Sequence, residues 1–175
     1  MHGVLPEFGK CKTFLDVGVG FGGMTKYVKA KKKHVTSTDI SRTALDHLKD
    51  VPDKTILINE VSSVEPVDLA VCHLVLQHCN NETITKIMND VPIKDDTGIL
   101  SVQFACLRPG DKPNKNVQNL LKNGTHYLRS LEEFKELVHS GTNKEVVVIS
   151  APIDFKKTEN LRWYFCKLKN KKVKT

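Results

Sequence analysis

The stretch "FLDVGVGFGGMT", from Phe14 to Thr25, decides the fold class. It begins as a run of mainly apolar residues, contains a carboxylate at Asp16, and then brings four glycines within six residues. A glycine-rich turn between a strand and a helix lets the backbone approach a ligand closely, and the start of the helix presents unpaired N–H groups. The stretch therefore predicts a strand–turn–helix unit that holds a ligand at its turn.

Two ligand patterns fit this turn. Gly18, Gly20 and Gly23 satisfy the G-x-G-x-x-G pattern of dinucleotide-binding folds. The D-x-G-x-G-x-G loop that receives S-adenosylmethionine begins instead at Asp16 and includes Gly22. A carboxylate at the end of the strand would repel a pyrophosphate, whereas it would attract the ammonium group of a methionine moiety. Asp16 therefore favours the aminoacyl ligand, and the alternative is that it only accepts hydrogen bonds within the turn.

The composition is that of one globular domain spanning residues 1–175. Hydrophobic residues make up 39% of the 175, which is enough for a single core. No apolar stretch approaches the ~20 residues that a membrane span needs, and the first residues lack a signal-peptide pattern, so we expect a cytoplasmic protein. The five cysteines contain no C-x-x-C pair, which argues against a disulfide framework and against a zinc site; no metal is predicted.

The net charge of +7 is concentrated at the C-terminus. Residues 156–175 hold eight basic side chains and one acidic one, whereas the first 155 residues hold 19 of each. We predict a short, solvated basic tail at about residues 169–175 that keeps the protein soluble. A contact with nucleic acid is the less favoured alternative.

Short β-rich segments alternate with helical ones, which is the pattern of a mostly parallel sheet with helices on both faces. Strands are predicted at residues 13–17, 34–39, 55–59, 68–73, 98–105, 145–151 and 162–168. Helices are predicted at residues 22–30, 42–50, 82–91 and 131–140. Ser41, Asn80 or Asn81, and Ser130 are the candidate N-caps, and Ser130 with Glu133 makes a capping box.

A second carboxylate, Asp39, closes the run "HVTSTD", 23 residues after Asp16. An acidic residue at the end of the second strand can accept hydrogen bonds from both ribose hydroxyls of a bound nucleoside. Sites for NAD and for S-adenosylmethionine share this feature, so Asp39 predicts a nucleoside without choosing between them. The alternative is that Asp39 caps the helix that follows, a position for which Ser41 is better suited.

The last two predicted strands discriminate between the folds. "EVVVISAPI" and "LRWYFCKL" are joined by "DFKKTEN", which is too short for a crossover helix, so the last strand should be antiparallel. The chain thus resembles the class I S-adenosylmethionine-dependent methyltransferases, which have an α/β, Rossmann-like, doubly wound seven-stranded sheet with an antiparallel last strand. "FLDVGVGFGG", "TSTDIS", "VDLAVCHLVLQHC" and "LRSLEEFKELV" match that family's motifs in order, over nearly the whole chain.

The resemblance implies S-adenosylmethionine as the cofactor. Asp16 would face the methionine amino group, Asp39 would hold the ribose, and Ile40 would pack on the adenine. Asn59 or Glu60 would lie near the adenine amino group. The resemblance assigns cofactor contacts to Asp16, Gly18, Val19, Gly20, Gly22, Asp39, Ile40, Asn59, Glu60, Val61, Cys72 and His73.

Methyl transfer is an in-line displacement on a reactive sulfonium, so orientation of the reactants can supply up to ~7–11 kcal/mol and a base is optional. His73 and His78 are the two histidines expected closest to the methyl group. An imidazole suits removal of a proton from a hydroxyl. For His73 the alternative is a structural hydrogen bond, and for His78 it is the fixing of the loop before the third helix.

The acceptor should bind at loops that follow the carboxyl ends of the parallel strands, at residues 106–129 and 154–160. The candidate residues there are Arg108, Lys112, His126, Tyr127, Arg129, Lys156 and Lys157. They suit a small polar or anionic acceptor, although a merely solvated loop is equally compatible. Two other hypotheses are a nucleic-acid methyltransferase, which the absence of an N/D-P-P-Y/F motif disfavours, and a non-catalytic protein that binds S-adenosylmethionine or NAD.

The sequence departs from the family in two places. Few residues precede the first strand, so the helices that commonly roof the substrate pocket are expected to be missing or supplied from elsewhere. About eight residues join the third and fourth strands, enough only for an extended crossing without a helix. A thinly covered face, and with it a partner or a dimer, is expected there.

Overall fold

A seven-stranded sheet forms the centre of the protein, in a computed structural model that describes residues 6–107, 110, 112, 115–150 and 161–172. In chain order the strands are β1 (Thr13–Val17), β2 (His34–Asp39), β3 (Lys54–Leu57), β4 (Leu69–Cys72), β5 (Ile99–Leu107), β6 (Lys144–Ile149) and β7 (Leu161–Asn170). They lie in the order β3–β2–β1–β4–β5–β7–β6. The first five are parallel, and β7 runs antiparallel to β5 and β6. The predicted sheet with its reversed last strand is confirmed.

Helices cover both faces of this sheet, as predicted. The α-helices are α1 (Gly23–Ala30), α2 (Arg42–Asp46), α3 (Asn81–Asp90), α4 (Lys115–Lys122) and α5 (Leu131–Gly141). On one face, buried side chains of α3 and α5 join those of alternate strand residues in the largest apolar cluster. On the other face, Val28 of α1, Leu45 of α2 and Val117 of α4 each belong to a smaller cluster.

The predicted capping residues set where three helices begin. Ser130 Oγ accepts a hydrogen bond from Glu133 N, and the Glu133 carboxylate accepts one from Ser130 N at 2.6 Å, which completes the capping box at α5. Asn80 Oδ1 accepts from Thr83 N at the start of α3. Ser41 Oγ accepts from Ala44 N at the start of α2. These bonds satisfy backbone donors that would otherwise have no partner in the helix.

Helix α4 was not predicted, because residues 106–129 were interpreted as a loop. Val117 is buried and packs in the cluster that contains Ala105 and Leu161, on the β5 and β7 strands. The i, i+3, i+4 spacing of Val117, Leu120 and Leu121 is the helical signal. Gly124, with φ +65°, follows the helix and donates its N–H to the Leu121 carbonyl.

The crossing from β3 to β4 also differs from the predicted extended segment. A 3₁₀ helix, Ile58–Ser63, occupies it, since β3 ends at Leu57 instead of residue 59. The side chains of Val61 and Val64 in this crossing are buried in the apolar cluster on the α3 side of the sheet. The Glu60 carboxylate accepts a hydrogen bond from Leu57 N at 3.3 Å and so closes the first turn. Apolar burial thus favours a compact crossing over an extended one.

The described part of the basic C-terminus pairs in the sheet and contacts α5. Strand β7 continues to Asn170, and Lys171 Nζ donates to the carbonyls of His139 and Thr142, both at 2.6 Å. Residues 169–171 therefore belong to the fold, although a solvated tail was predicted from about residue 169, and residues 173–175 lie outside the described part. Because Leu168 pairs with Leu100, near the start of β5, β7 ends at the sheet edge opposite the glycine-rich turn.

Candidate functional site

A cavity of about 590 Å³ lies at the carboxyl edge of the parallel strands. The glycine-rich turn, the residue after β2, the 3₁₀ segment after β3 and the residues after β4 contribute to its walls, and α3 supplies a further wall. Six of the predicted cofactor residues line it, namely Gly18, Gly20, Asp39, Ile40, Asn59 and Val61. Open α/β sheets bind ligands at this edge.

The glycines of the turn serve different purposes. Gly18 has φ +79°, and a Cβ there would lie 2.3 Å from Val75 Cγ2, so a side chain has no room. Gly20 has φ +51° and nothing within 4 Å of such a Cβ, which leaves its backbone open to the cavity. The turn is held to β2, because Gly18 N donates to the Thr38 carbonyl at 2.8 Å.

Asp39 joins the turn to the next strand. Its Oδ2 accepts a hydrogen bond from Gly20 N at 3.2 Å, and its Oδ1 accepts one from Ser41 N at 2.9 Å. A carboxylate has about four lone-pair positions, so further acceptor capacity faces the cavity. This arrangement can bind a pair of adjacent hydroxyl groups.

Asp16 lies beneath the turn and does not line the cavity. It is 4% exposed, and its Oδ2 accepts a hydrogen bond from Thr25 Oγ1 at 2.7 Å. Thr25 Oγ1 is also 2.8 Å from Ser37 Oγ. Burial raises the pKa of Asp16 to about 6, although the hydrogen bonds from Thr25 partly oppose that shift. The carboxylate therefore supplies a buried negative charge under the turn at neutral pH.

Three other predicted cofactor residues are packed into the protein. Val19 joins the buried cluster that contains Leu48, and Gly22 is the N-cap residue of α1, where a Cβ would lie 2.3 Å from Leu48 Cδ2. Cys72 is fully buried in β4, and burial raises the pKa of its thiol. Of the two candidates at the adenine end, Asn59 lines the cavity, whereas the Glu60 carboxylate turns back to Leu57 N.

The two predicted histidines differ in placement. His73 is not among the residues that line the cavity; its Nε2 lies 2.9 Å from Ser101 Oγ, its ring lies edge-on to Phe165, and burial lowers its pKa to about 4. His78 lines the cavity. Its Nδ1 donates to the Thr125 carbonyl at 2.7 Å, and its Nε2 lies 3.2 Å from Gln77 Nε2. The contact with a carbonyl oxygen requires a proton on Nδ1.

The candidate acceptor residues are only partly assembled at this edge. Arg108, Lys156 and Lys157 lie outside the described residues, and Lys112 is exposed. Tyr127 lines the cavity, and the His126 ring packs edge-on against His78 with 4.5 Å between the ring centroids. The Arg129 guanidinium donates to the Cys79 carbonyl and to Asn81 Oδ1, both at 2.6 Å, and so ties the start of α3 to the segment before α5.

Part of the cavity was not predicted. Leu74 and Val75 follow the predicted His73 directly, and the family motif in this segment was the signal that could have found them. Thr83, Lys86, Ile87 and Asp90 supply the wall from α3. That helix and the 3₁₀ segment border the same cavity, an arrangement that no local pattern in the sequence indicates.

Residues 15–91 match a family model described as a methyltransferase domain. The match begins within β1 and ends just after α3, so it contains the glycine-rich turn, Asp39 and most of the cavity. The matched segment, which is less than half of the chain, is similar to a methyltransferase domain. A methyltransferase domain implies S-adenosylmethionine as the cofactor. No curated protein sequence matches this chain.

Solved structures with low sequence identity share the methyltransferase fold. LepI in complex with S-adenosylmethionine has 10% identity and a TM-score of 0.70, over 90% of this chain and 42% of that one. A Burkholderia thailandensis 1,6-didemethyltoxoflavin-N1-methyltransferase, with 1,6-didemethyltoxoflavin and S-adenosylhomocysteine bound, has 14% identity and a TM-score of 0.69. The similarity covers 97% of this chain and 75% of that one. The O-methyltransferase NcsB1, with S-adenosylhomocysteine and 1,4-dihydroxy-2-naphthoic acid bound, has 15% identity and a TM-score of 0.65. The similarity covers 93% of this chain and 50% of that one.

The chain thus spans half or less of the length of LepI and of NcsB1. Within its described residues, no helix is both long enough and apolar enough to cross a membrane.

The residues that line the cavity fit S-adenosylmethionine. Gly20 leaves open backbone at the turn, and Asp39 offers a carboxylate to adjacent hydroxyl groups. Ile40 is 84% exposed at the cavity, although large aliphatic side chains are usually buried. A planar base would cover this side chain. Asn59 supplies amide groups at the same end of the cavity.

Proposed function

We propose that this protein transfers the methyl group of S-adenosylmethionine to a small-molecule acceptor. The observation that carries the proposal is the cavity in which the open Gly20 backbone, the Asp39 carboxylate and the exposed Ile40 side chain meet. These are an aminoacyl-binding turn, a ribose-binding acid and an apolar surface for a base. The family match over residues 15–91 supports the same cofactor.

The residues of the protein act mainly by orientation. When bound, the cofactor supplies a methyl group on a positively charged sulfur, which is already reactive. Asp39 holds the ribose, the backbone of Gly18 and Gly20 holds the aminoacyl portion, and the buried Asp16 charge under the turn attracts the ammonium group. Well-held reactants can gain up to ~7–11 kcal/mol from orientation, so a dedicated base is optional.

A general base from His73 or His78 stays a prediction. His73 is neutral at pH 7 because burial lowers its pKa to about 4, but its Nε2 pairs with Ser101 outside the cavity. His78 lies at the cavity, where its Nε2 is 3.2 Å from Gln77 Nε2. A proton from the acceptor reaches His78 Nε2 only if the Gln77 amide first moves away.

The acceptor class is proposed on two grounds. Tyr127 and His78 line the cavity, and the His126 ring packs against His78. Arg108, Lys156 and Lys157, on which the prediction of a polar or anionic acceptor depends, lie outside the described residues. The similar structures noted above contain small molecules, 1,6-didemethyltoxoflavin in one and 1,4-dihydroxy-2-naphthoic acid in another. Both grounds support a small molecule.

The proposal is tested by following the transferred methyl group. The protein is incubated with methyl-tritiated S-adenosylmethionine and a cell extract, and the products are separated into small molecules, nucleic acids and proteins. We expect protein-dependent label in the small-molecule fraction. Label that enters only the nucleic-acid or protein fraction would contradict the proposed acceptor class, and absence of protein-dependent transfer would contradict the activity.

Asp39→Ala is expected to weaken binding of S-adenosylhomocysteine, the demethylated product, by roughly 10- to 150-fold, or about 1.5–3 kcal/mol, because hydrogen bonds to a charged group are lost. Isothermal titration calorimetry measures the dissociation constant. Asp46→Ala, at an exposed position of α2, is the control and should bind like the parent protein. Equal affinity of the Asp39 variant and the parent would show that the ribose binds elsewhere.

A further inference from the structure

We infer that Leu74 is an acceptor-binding residue, and that the methyl acceptor presents a flat, apolar ring face to it. The inference rests on the proposed function and adds the chemical class of the acceptor. A polar or anionic group on the same ring would remain compatible with the basic residues predicted near the site.

Exposed apolar side chains gather at the carboxyl edge. Among the described residues, the large exposed hydrophobic side chains are Phe21, Ile40, Leu74, Tyr127, Val147 and Val148. Ile40, Leu74 and Tyr127 line the cavity, and Phe21 lies in the glycine-rich turn beside it. Apolar side chains grouped around a concave site mark a ligand-binding surface, whereas single exposed ones are ordinary.

The backbone of Leu74 is unusual. Leu74 has φ +59° and is 58% exposed, and the other non-glycine residue with positive φ in the described part of the chain is Lys32, with φ +57°. Lys32 follows the C-cap of α1, where a left-handed residue commonly ends a helix. Leu74 lies between β4 and a 3₁₀ helix, where no helix ends. Such a conformation is disfavoured for a bulky side chain and concentrates at functional sites.

Contacts with other parts of the protein hold both neighbours of Leu74 in place. His73 Nε2 lies 2.9 Å from Ser101 Oγ, and the His73 ring packs against Phe165 at 5.1 Å. Val75 occupies the space that a side chain on Gly18 would need. With residues 73 and 75 held in this way, the left-handed backbone presents the Leu74 side chain at the cavity.

Tyr127 provides a second apolar wall. Its N–H donates to the Gln77 carbonyl at 2.6 Å, which holds the segment before α5 beside the residues that follow β4. Leu74 and Tyr127 therefore border the same cavity as Ile40, which the proposed function assigns to the adenine. An aliphatic side chain and an aromatic ring together suit a planar apolar surface. The geometry favours an acceptor whose hydroxyl or amine is attached to an aromatic or conjugated ring.

The test uses 1-naphthol and 1-hydroxy-2-naphthoic acid as ring probes and ethanolamine as a polar probe without a ring. Each is titrated by calorimetry into the protein saturated with S-adenosylhomocysteine. We expect at least one ring probe to bind and ethanolamine not to bind. Leu74→Asn should weaken ring binding by roughly 10-fold or more, because an apolar contact of leucine size is lost.

Lys32→Asn is the matched control, because asparagine tolerates the left-handed backbone at both positions and Lys32 lies at the end of α1. It should leave ring binding unchanged. The Tm of Leu74→Asn should stay within about 2 °C of the parent, since the leucine is largely exposed. Both variants should bind S-adenosylhomocysteine like the parent.

Three results would overturn the inference: neither ring probe binds, ethanolamine binds in their place, or Leu74→Asn binds the ring probes as the parent does. A fall in Tm of the size seen for a core leucine would also overturn it, because Leu74 would then be a packing residue. Failure of the parent protein to bind S-adenosylhomocysteine would instead refute the proposed function, and this is measured separately.

Discussion

Asp16→Asn is expected to stabilise the ligand-free protein at pH 7.5 and, at the same time, to weaken its binding of S-adenosylhomocysteine. Burial raises the pKa of Asp16 from 3.8 to about 6. Between about pH 4 and pH 6 the folded protein therefore binds more protons at this site than the unfolded chain does, so stability falls as pH rises through this window. Above pH 6 the buried ionised carboxylate lowers the free energy of unfolding by its full amount, up to about 3 kcal/mol for a pKa raised by about two.

Asparagine removes this cost, and its Oδ1 can still accept the hydrogen bond from Thr25 Oγ1. We expect the free energy of unfolding at pH 7.5 to rise by up to about 3 kcal/mol, with little change near pH 4. The affinity for S-adenosylhomocysteine should fall by roughly 100-fold, because the charge that attracts the ammonium group is lost. Urea denaturation at both pH values and calorimetry measure the two effects.

Asp46→Asn, on the exposed surface of α2, is the control and should change neither quantity. A destabilised Asp16 variant with unchanged affinity would mean that Asp16 only supports the turn, which is the alternative interpretation of its sequence position. A higher free energy of unfolding together with a lower affinity for S-adenosylhomocysteine would show that the buried carboxylate serves to bind the cofactor.

Gly22→Ala is expected to lower the free energy of unfolding by roughly 2–5 kcal/mol. Gly22 has φ +77°, which costs an alanine about 1–2 kcal/mol. The new Cβ would also lie 2.3 Å from Leu48 Cδ2 and 2.5 Å from Cδ1, and overpacking typically costs a further ~1–3 kcal/mol. Leu48 is buried, so it has little freedom to move aside.

Gly20→Ala is the matched control, because Gly20 has a similar backbone conformation, φ +51°, and open space where the Cβ would lie. It should lose only about 1–2 kcal/mol. Urea denaturation measures the free energy of unfolding of the two variants. In a Leu48→Ala background, Gly22→Ala should lower this free energy by less than it does in the parent protein, because the clash with the Leu48 side chain is gone. Equal losses for the two glycine variants would show that backbone strain, and not the contact with Leu48, governs Gly22.

Local patterns in the sequence predicted most of the fold. The bounds of β1 and β2 agree with the prediction, since each is a short buried run bordered by turn residues. The reversed β7 followed from a loop too short for a helix. Helix α4 was missed because its buried stripe is short. The 3₁₀ segment after β3 was missed because the burial of Val61 and Val64 depends on contacts that are distant in sequence.

The site was less predictable, because a motif identifies residues without saying which way each side chain points. Gly20 and Gly22 lie two residues apart in the same loop, yet one opens to the cavity and the other packs against Leu48. At the end of β4 the prediction named His73, whereas Leu74, one residue further, lines the cavity. The left-handed backbone at Leu74 makes this difference, and no residue type there indicates it.

The central claim is that the cavity receives S-adenosylmethionine and not a dinucleotide. Calorimetric titration of the protein with S-adenosylhomocysteine, and separately with NAD, tests it most directly. We predict saturable binding of one S-adenosylhomocysteine per chain and no heat of binding with NAD. Binding of NAD without binding of S-adenosylhomocysteine would contradict the account.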